Sequence, residues 1–198
     1  MSVHPVVQRI AIGALLFAAV GGAGAIIGCN AGDAGTEGET RPLRKEGRAG
    51  IFMIEGTERF HDGEWLKHGD FVFRDDRDEV ISRGRYVDGF EDGPWTQTYE
   101  DGAKGQGSFT EGRRTGEWIT FHRNGSQQDK GRYERGQRVG SWTSFRPDKS
   151  LLRVAEYRAG KLDGLVVWYG ADGKTVDQER SGTYRKGERS APLPSARR

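Results

Sequence analysis

Between Gly84 and Phe145 the chain repeats one unit three times, as GRYVDGFEDGPWTQTYEDG, GSFTEGRRTGEWITFHRNG and GRYERGQRVGSWTSF. Each copy reads Gly, any residue, aromatic, two residues, Gly, three residues, Gly, any residue, Trp. The aromatic-to-Trp spacing is nine in all three: Tyr86 to Trp95, Phe109 to Trp118 and Tyr133 to Trp142. A fourth copy, AEYRAGKLDGLV, keeps the nine with Tyr157 and Val166. Such a chain buries its apolar surface between neighbouring copies, so the unit to explain is one repeat and its interfaces.

The first Gly and the aromatic are two residues apart, as are the second-strand Gly and Trp, so on a strand they share a face while polar residues point the other way. Between them, Gly89, Gly112, Gly136 and Gly160, with Gly93, Gly116, Gly140 and Gly164, supply tight reversals. Each copy is therefore expected to be a hairpin with Tyr133 facing Trp142 or its equivalent. Asp101-Gly102, Asn124-Gly125 and Asp172-Gly173 are turn dipeptides between copies, with Pro147-Asp148-Lys149 in that place in the third. Stacking places Tyr86, Trp95, Phe109, Trp118, Tyr133, Trp142, Tyr157, Val166 and Tyr184 in a ladder on one face. Small residues Gly84, Gly107, Gly131, Ala155 and Gly182 precede the ladder aromatics by two, as slots into which a neighbouring ring can lean. At about 4.8 Å per strand, five hairpins make an elongated single antiparallel sheet of about 50 Å. The expected fold class is all-β.

Hydrophobic residues make up 34% of the 198, and Ile10 to Ile27 holds a large share of them, so the rest of the chain must build its core from aromatics. The 31 basic and 29 acidic residues leave a net charge of +2, which lacks the field of a nucleic-acid binder. Residues 1–29 carry His4 and Arg9, then IAIGALLFAAVGGAGAII, then Gly28-Cys29. Three readings compete: an uncleaved membrane helix, a buried core helix and a secretory signal. Ile26-Ile27-Gly28-Cys29 resembles a bacterial lipobox, with Ile26 where Leu is most common. The resemblance implies cleavage after residue 28 and acyl chains on Cys29 that anchor the protein to a membrane without spanning it. Asn30 resembles outer-membrane sorting, so the expected address is the bacterial cell envelope, outer membrane or cell surface rather than inner membrane. Residues 29–49 are poor in apolar side chains and are expected to form a flexible linker. The repeat domain is expected at 50–189, opened by Ile51 to Ile54 as an edge or capping strand, and residues 190–198 as a disordered tail whose prolines blunt the sheet edge.

The repeat pattern resembles the MORN repeats, and more closely the bacterial MORN-variant units of the form GxYxxGxxxGxWxxYxxxG, over about residues 56–187. The copy at Phe60, Gly63, Gly69 and Phe71 is lengthened by two, with Trp65 in the longer loop; Val166 replaces Trp in the fourth. The resemblance implies a non-catalytic binding or scaffolding surface, or alternatively an antitoxin or immunity protein that neutralises a toxin, with a protein partner in either case. It brings no catalytic motif.

Chemistry is weakly signalled. His61 and His68, with Asp62, Glu64 and Asp70, place metal-ligating side chains around one loop but without zinc spacing, and read as a solvated loop; Asp75, Asp76, Asp78 and Glu79 read as a charged turn rather than a calcium loop. Ser108, Ser126 and Ser144 lack a nucleophile elbow. No enzyme, metal or cofactor is expected. Trp65, Trp168 and the polar strand positions are the binding candidates because the ladder does not use them.

Overall fold

The computed structural model describes residues 35–46 and 51–193. These hold fourteen strands and no helix: β1 (Thr40–Glu46), β2 (Met53–His61), β3 (Glu64–Lys67), β4 (Gly69–Arg74), β5 (Val80–Val87), β6 (Phe90–Thr98), β7 (Lys104–Thr110), β8 (Arg113–Phe121), β9 (Gln127–Glu134), β10 (Gln137–Phe145), β11 (Leu151–Arg158), β12 (Lys161–Trp168), β13 (Gly182–Arg185) and β14 (Glu188–Pro192). They form one open antiparallel sheet whose strands follow chain order, with β3 pairing β2 beside β4.

The hairpins close through two-residue turns in which both residues have positive φ, such as Arg135 at 48° and Gly136 at 80°. That is the type I′ geometry whose twist matches the flanking strands. The turn fixes the register: Glu134 faces Gln137, and Tyr133 faces Arg138. Tyr133 therefore does not face Trp142, contrary to the expectation from spacing. Beyond Val139 the register shifts by two residues at Gly140, which sits at φ 64°, and this bulge carries Trp142 over Gly131. Because the extra length is two residues, the side-chain facing is preserved. The turn glycines also latch the repeats together, as Gly112 N–H donates to Glu91 O, Gly136 to Arg114 O and Gly160 to Arg138 O.

One row across the sheet alternates large and absent side chains. Phe71 pairs with Gly84, Gly84 with Trp95, Trp95 with Gly107, Trp118 with Gly131, Trp142 with Ala155, and Ala155 with Val166. The expected slots are filled: a Cβ on Gly84, Gly107 or Gly131 would fall within the ring of Trp95, Trp118 or Trp142 respectively. Next to this row the rings meet edge-on in an unbroken series from Phe71 through Tyr86, Trp95, Phe109, Trp118, Tyr133 and Trp142 to Tyr157. Each such contact adds about 0.5–1.5 kcal/mol beyond burial. Trp118 is only 1% exposed although no second layer covers the sheet among the described residues. Val166 continues the core, while Tyr184 leaves the ring series and donates its hydroxyl to Arg180 O.

Four expectations are corrected. Residues 40–46 fall within the stretch read as a flexible linker, yet β1 pairs with β2 along its whole length. Leu43 packs against the Phe71 cluster, and Arg41 lies over the Trp65 ring and pairs with Glu58. One leucine and an arginine stem thus reach a core that other segments supply, so counting apolar residues within the stretch underestimates its order. Residues 51–54 accordingly lead into an interior strand, not an edge. Ala191 and Pro192, within the expected disordered tail, pair with Thr183 and Gly182 of β13. In the lengthened first hairpin Phe60 faces Trp65 near the tip, and Trp65 is on a strand, not in a loop. Glu58, buried and facing Lys67, takes the place that Tyr86 has in the next copy.

Residues 35–39 fold over the tip of that hairpin. Glu37 is hydrogen-bonded to His61 Nδ1 at 2.7 Å and accepts the Asp62 N–H at 3.1 Å, while Gly38 N–H donates to Phe60 O. The Glu37 hydrogen bond raises the His61 pKa above 6.5, helped by the Asp62 charge, and the His61 hydrogen bond lowers the Glu37 carboxyl below 4.5, helped by the Asp62 N–H. The raised histidine stabilises the docked segment fully below its ordinary pKa and loses that contribution as pH rises through the raised value. The lowered carboxyl contributes above its ordinary pKa and loses its share as pH falls through the lowered value. Docking is therefore expected to be tightest in mildly acidic solution. Backbone 15N relaxation at Gly38 and Glu39 should report loosening as the solution is made mildly alkaline, and His61→Gln should abolish that pH dependence. Invariant relaxation in the wild type would rule the coupling out.

Candidate functional site

Alternation along every strand divides the sheet into two faces. The ladder face is filled, and its gaps are closed by cations: Lys67 Nζ lies 4.6 Å from the Tyr86 ring, the Arg114 guanidinium 4.5 Å from Trp118, and Arg138 4.3 Å from Trp142. Burial, with a smaller contribution from Lys45, pushes the Lys67 ammonium below its usual range. These long side chains cover the ring edges, which explains how tryptophans in a single-layer sheet become inaccessible.

The opposite face carries an open trough of about 800 Å³ running across β4 to β8. Its floor is backbone at Gly84 and Gly107, and its sides include Arg83, Arg85, Thr96, Gln106 and Ser108. A narrower continuation of about 320 Å³ passes Glu117, Lys130 and Arg132 to Ser141 and Thr143. Within the trough's central line Arg83 pairs with Thr96, Thr96 with Gln106, and Gln106 with Ile119. The trough thus crosses the strands with two outward-facing side chains presented by each of them, as Arg83 and Arg85 are by β5.

The binding candidates from the sequence separate into two groups. Trp65 and Trp168 are committed to packing: Trp65 meets Phe60 edge-on, and Trp168 has Arg180 3.8 Å and Arg153 4.8 Å from its ring. The polar strand positions, by contrast, line the trough. Nothing in the sequence distinguishes Arg83 and Arg85 from the other basic residues, and only the strand pairing brings them beside Thr96 and Gln106. Cys29 with Ile26, Ile27 and Gly28 lies outside the described residues.

The other constellations resolve into structural roles. Ser126 donates to Pro147 O, Ser144 donates to Asp129, and Ser108 supplies the carbonyl that accepts from the Trp118 indole. Asp75 accepts the Arg77 and Glu79 N–H groups and pairs with the Arg77 side chain, the geometry of a self-bonded turn. The irregular stretch at 170–181 is fixed similarly. Asp172 is held down to about 2 by the Thr175 hydroxyl and the Lys174 and Thr175 N–H groups, and buried Ser181 accepts the Trp168 N–H. His68 lies beside Asp88, not with His61. Potential ligand atoms of Glu37, His61 and Asp62 do come within 4.8 Å of one another, but Glu37 is engaged by His61 and the Asp62 N–H. The trio's evident role is to hold residues 35–39 on the hairpin tip.

No family model matches the chain, and no curated protein matches it.

Proposed function

We propose that this chain is an envelope lipoprotein whose MORN-like sheet presents a non-catalytic binding or scaffolding surface. The observation that supports it most directly is the division of labour between faces: the ladder consumes one side, while the other holds an open trough lined by hydrogen-bonding and charged side chains. Ser126, Ser144, His61 and Asp75 are held in structural hydrogen bonds, which favours binding over chemistry. Anchoring rests on the Ile26 to Cys29 sequence and its lipobox resemblance. Two or more acyl chains hold a protein on a membrane durably, whereas one does so only marginally.

Palmitate labelling of the full-length chain in a bacterial host tests the anchor. Wild type is expected to take up label and Cys29→Ser to lose it; equal labelling overturns the lipoprotein reading. Co-expression with a candidate toxin separates the two binding roles, since relief of toxicity by stoichiometric complex formation would replace scaffolding with neutralisation.

A further inference from the structure

Resting on the non-catalytic binding reading, we infer that the trough opposite the ladder takes an extended, acidic segment of a partner protein, gripped by Arg83 and Arg85. The two arginines are exposed and stand two residues apart on β5, so they project from the same face about 7 Å from each other. Among the described residues neither guanidinium makes an ion pair, a hydrogen bond or a ring contact. Arg114 and Arg138 are engaged over indoles, Arg59 with Asp88 and Arg77 with Asp75, and the exposed arginines that likewise lack such partners, Arg113, Arg123, Arg135, Arg158 and Arg185, do not line the trough. Two unengaged guanidiniums beside one concavity are suited to carboxylates, which match the planar fork.

The rest of the trough selects the class of chain. From β4 to β8 it crosses four strand spacings, about 19 Å, which accommodates about six residues of extended polypeptide. Thr96, Gln106 and Ser108 offer neutral donors and acceptors for main-chain amides along that path. Phe71 and Trp95 contribute to the floor, but both rings are buried in the ladder on the other face, so no exposed aromatic platform is available for a sugar. Asp70 and Glu117 also border the trough. They would repel a polymer with an anion on every unit, such as a polyphosphate, but can accept main-chain N–H groups from a peptide that places a carboxylate between Arg83 and Arg85 where it crosses β5. Steering by such a pair weakens with salt.

The test uses the purified full-length chain in detergent and fluorescence anisotropy of a fluorescein-labelled peptide alternating Glu and Ser, with a Gln and Ser counterpart. The acidic peptide is expected to bind at least about tenfold more tightly than the neutral one, and the double variant Arg83→Glu/Arg85→Glu to lose at least about tenfold in affinity. Arg158→Glu/Lys161→Glu makes the same charge change on a distant facing pair of the sheet and should stay within about twofold. Matching thermal midpoints show that both variants are folded. Absence of binding, equal binding of the neutral peptide, or equal losses in the two double variants overturns the proposal. So does tighter binding of heparin or phosphatidylglycerol vesicles that is lost in the Arg83/Arg85 variant, because the trough would then read a polyanion. The anchor and the trough are tested separately: Cys29→Ser leaves the peptide assay unaltered, and failure of the peptide to bind leaves palmitate labelling informative.

Discussion

Gly131→Val is expected to lower the unfolding free energy by about 3 kcal/mol, at the upper end of the usual cost of overpacking. Valine has good strand propensity, and on that ground alone it would stabilise β9 by up to about 1 kcal/mol. The position decides otherwise. Gly131 faces Trp118 across β8, and the Trp142 ring lies over the place where a Cβ would be. Trp142 cannot tilt away freely, because its indole N–H donates to Arg132 O and the Arg138 guanidinium lies over its ring. Nor can Trp118 make room, since its indole N–H donates to Ser108 O. Gly116→Ala provides the contrast: it has no atom within 4 Å of a built Cβ but holds φ at 67°, so it should cost only the left-handed strain of about 1–2 kcal/mol. Guanidinium unfolding of the full-length variants orders them. A Gly131→Val midpoint at or above wild type would mean that the small residues are not slots for the indoles.

The repeat unit made the ladder legible because its anchors are few and strictly spaced, and strand alternation converts that spacing into one face. The register was less legible. The nine-residue spacing is compatible with a directly facing Tyr133 and Trp142, and only the combination of a two-residue turn at Arg135 and Gly136 with a two-residue bulge at Gly140 makes the contact diagonal. Residues 40–46 were hidden for another reason: their order depends on Gly56, Phe71 and Trp65, far along the chain, and not on their own composition. The same holds for Glu37, which lies in a polar stretch and gains meaning only beside His61. Arg83 and Arg85 looked like any solvated pair, because the alternation that predicts their facing does not reveal which basic residues find partners. In each case the hidden information concerned contacts between distant segments, whereas the legible part recurred within a short unit.

Trp118→Ala should be the most damaging single truncation, at about 4 kcal/mol, within the range for loss of a buried aromatic. Trp118 lies at the centre of the ring series, 5.3 Å from Phe109 and 6.0 Å from Tyr133 between centroids. Its removal leaves a cavity that a sheet fixed by bulges and turn latches cannot easily collapse, and the Arg114 guanidinium loses the ring it covers. The effect on cooperativity follows from the arrangement of the core. One cluster holds Phe71, Phe73, Tyr86 and Trp95, another holds Trp118, Tyr133 and Trp142, and Phe109 packs against both. In a structure whose repeats touch only their neighbours, stability propagates through such interfaces. Emptying the Trp118 site removes Phe109's partner on one side, so the two halves should open at different denaturant concentrations. Hydrogen exchange along the chain would then show β4 to β6 and β9 to β12 losing protection separately, where the wild type loses both together. If Trp118→Ala unfolds in one coincident transition with less than about 1 kcal/mol lost, far below the usual cost of such a cavity, the ladder is not what couples the repeats, and backbone pairing alone must carry the cooperativity.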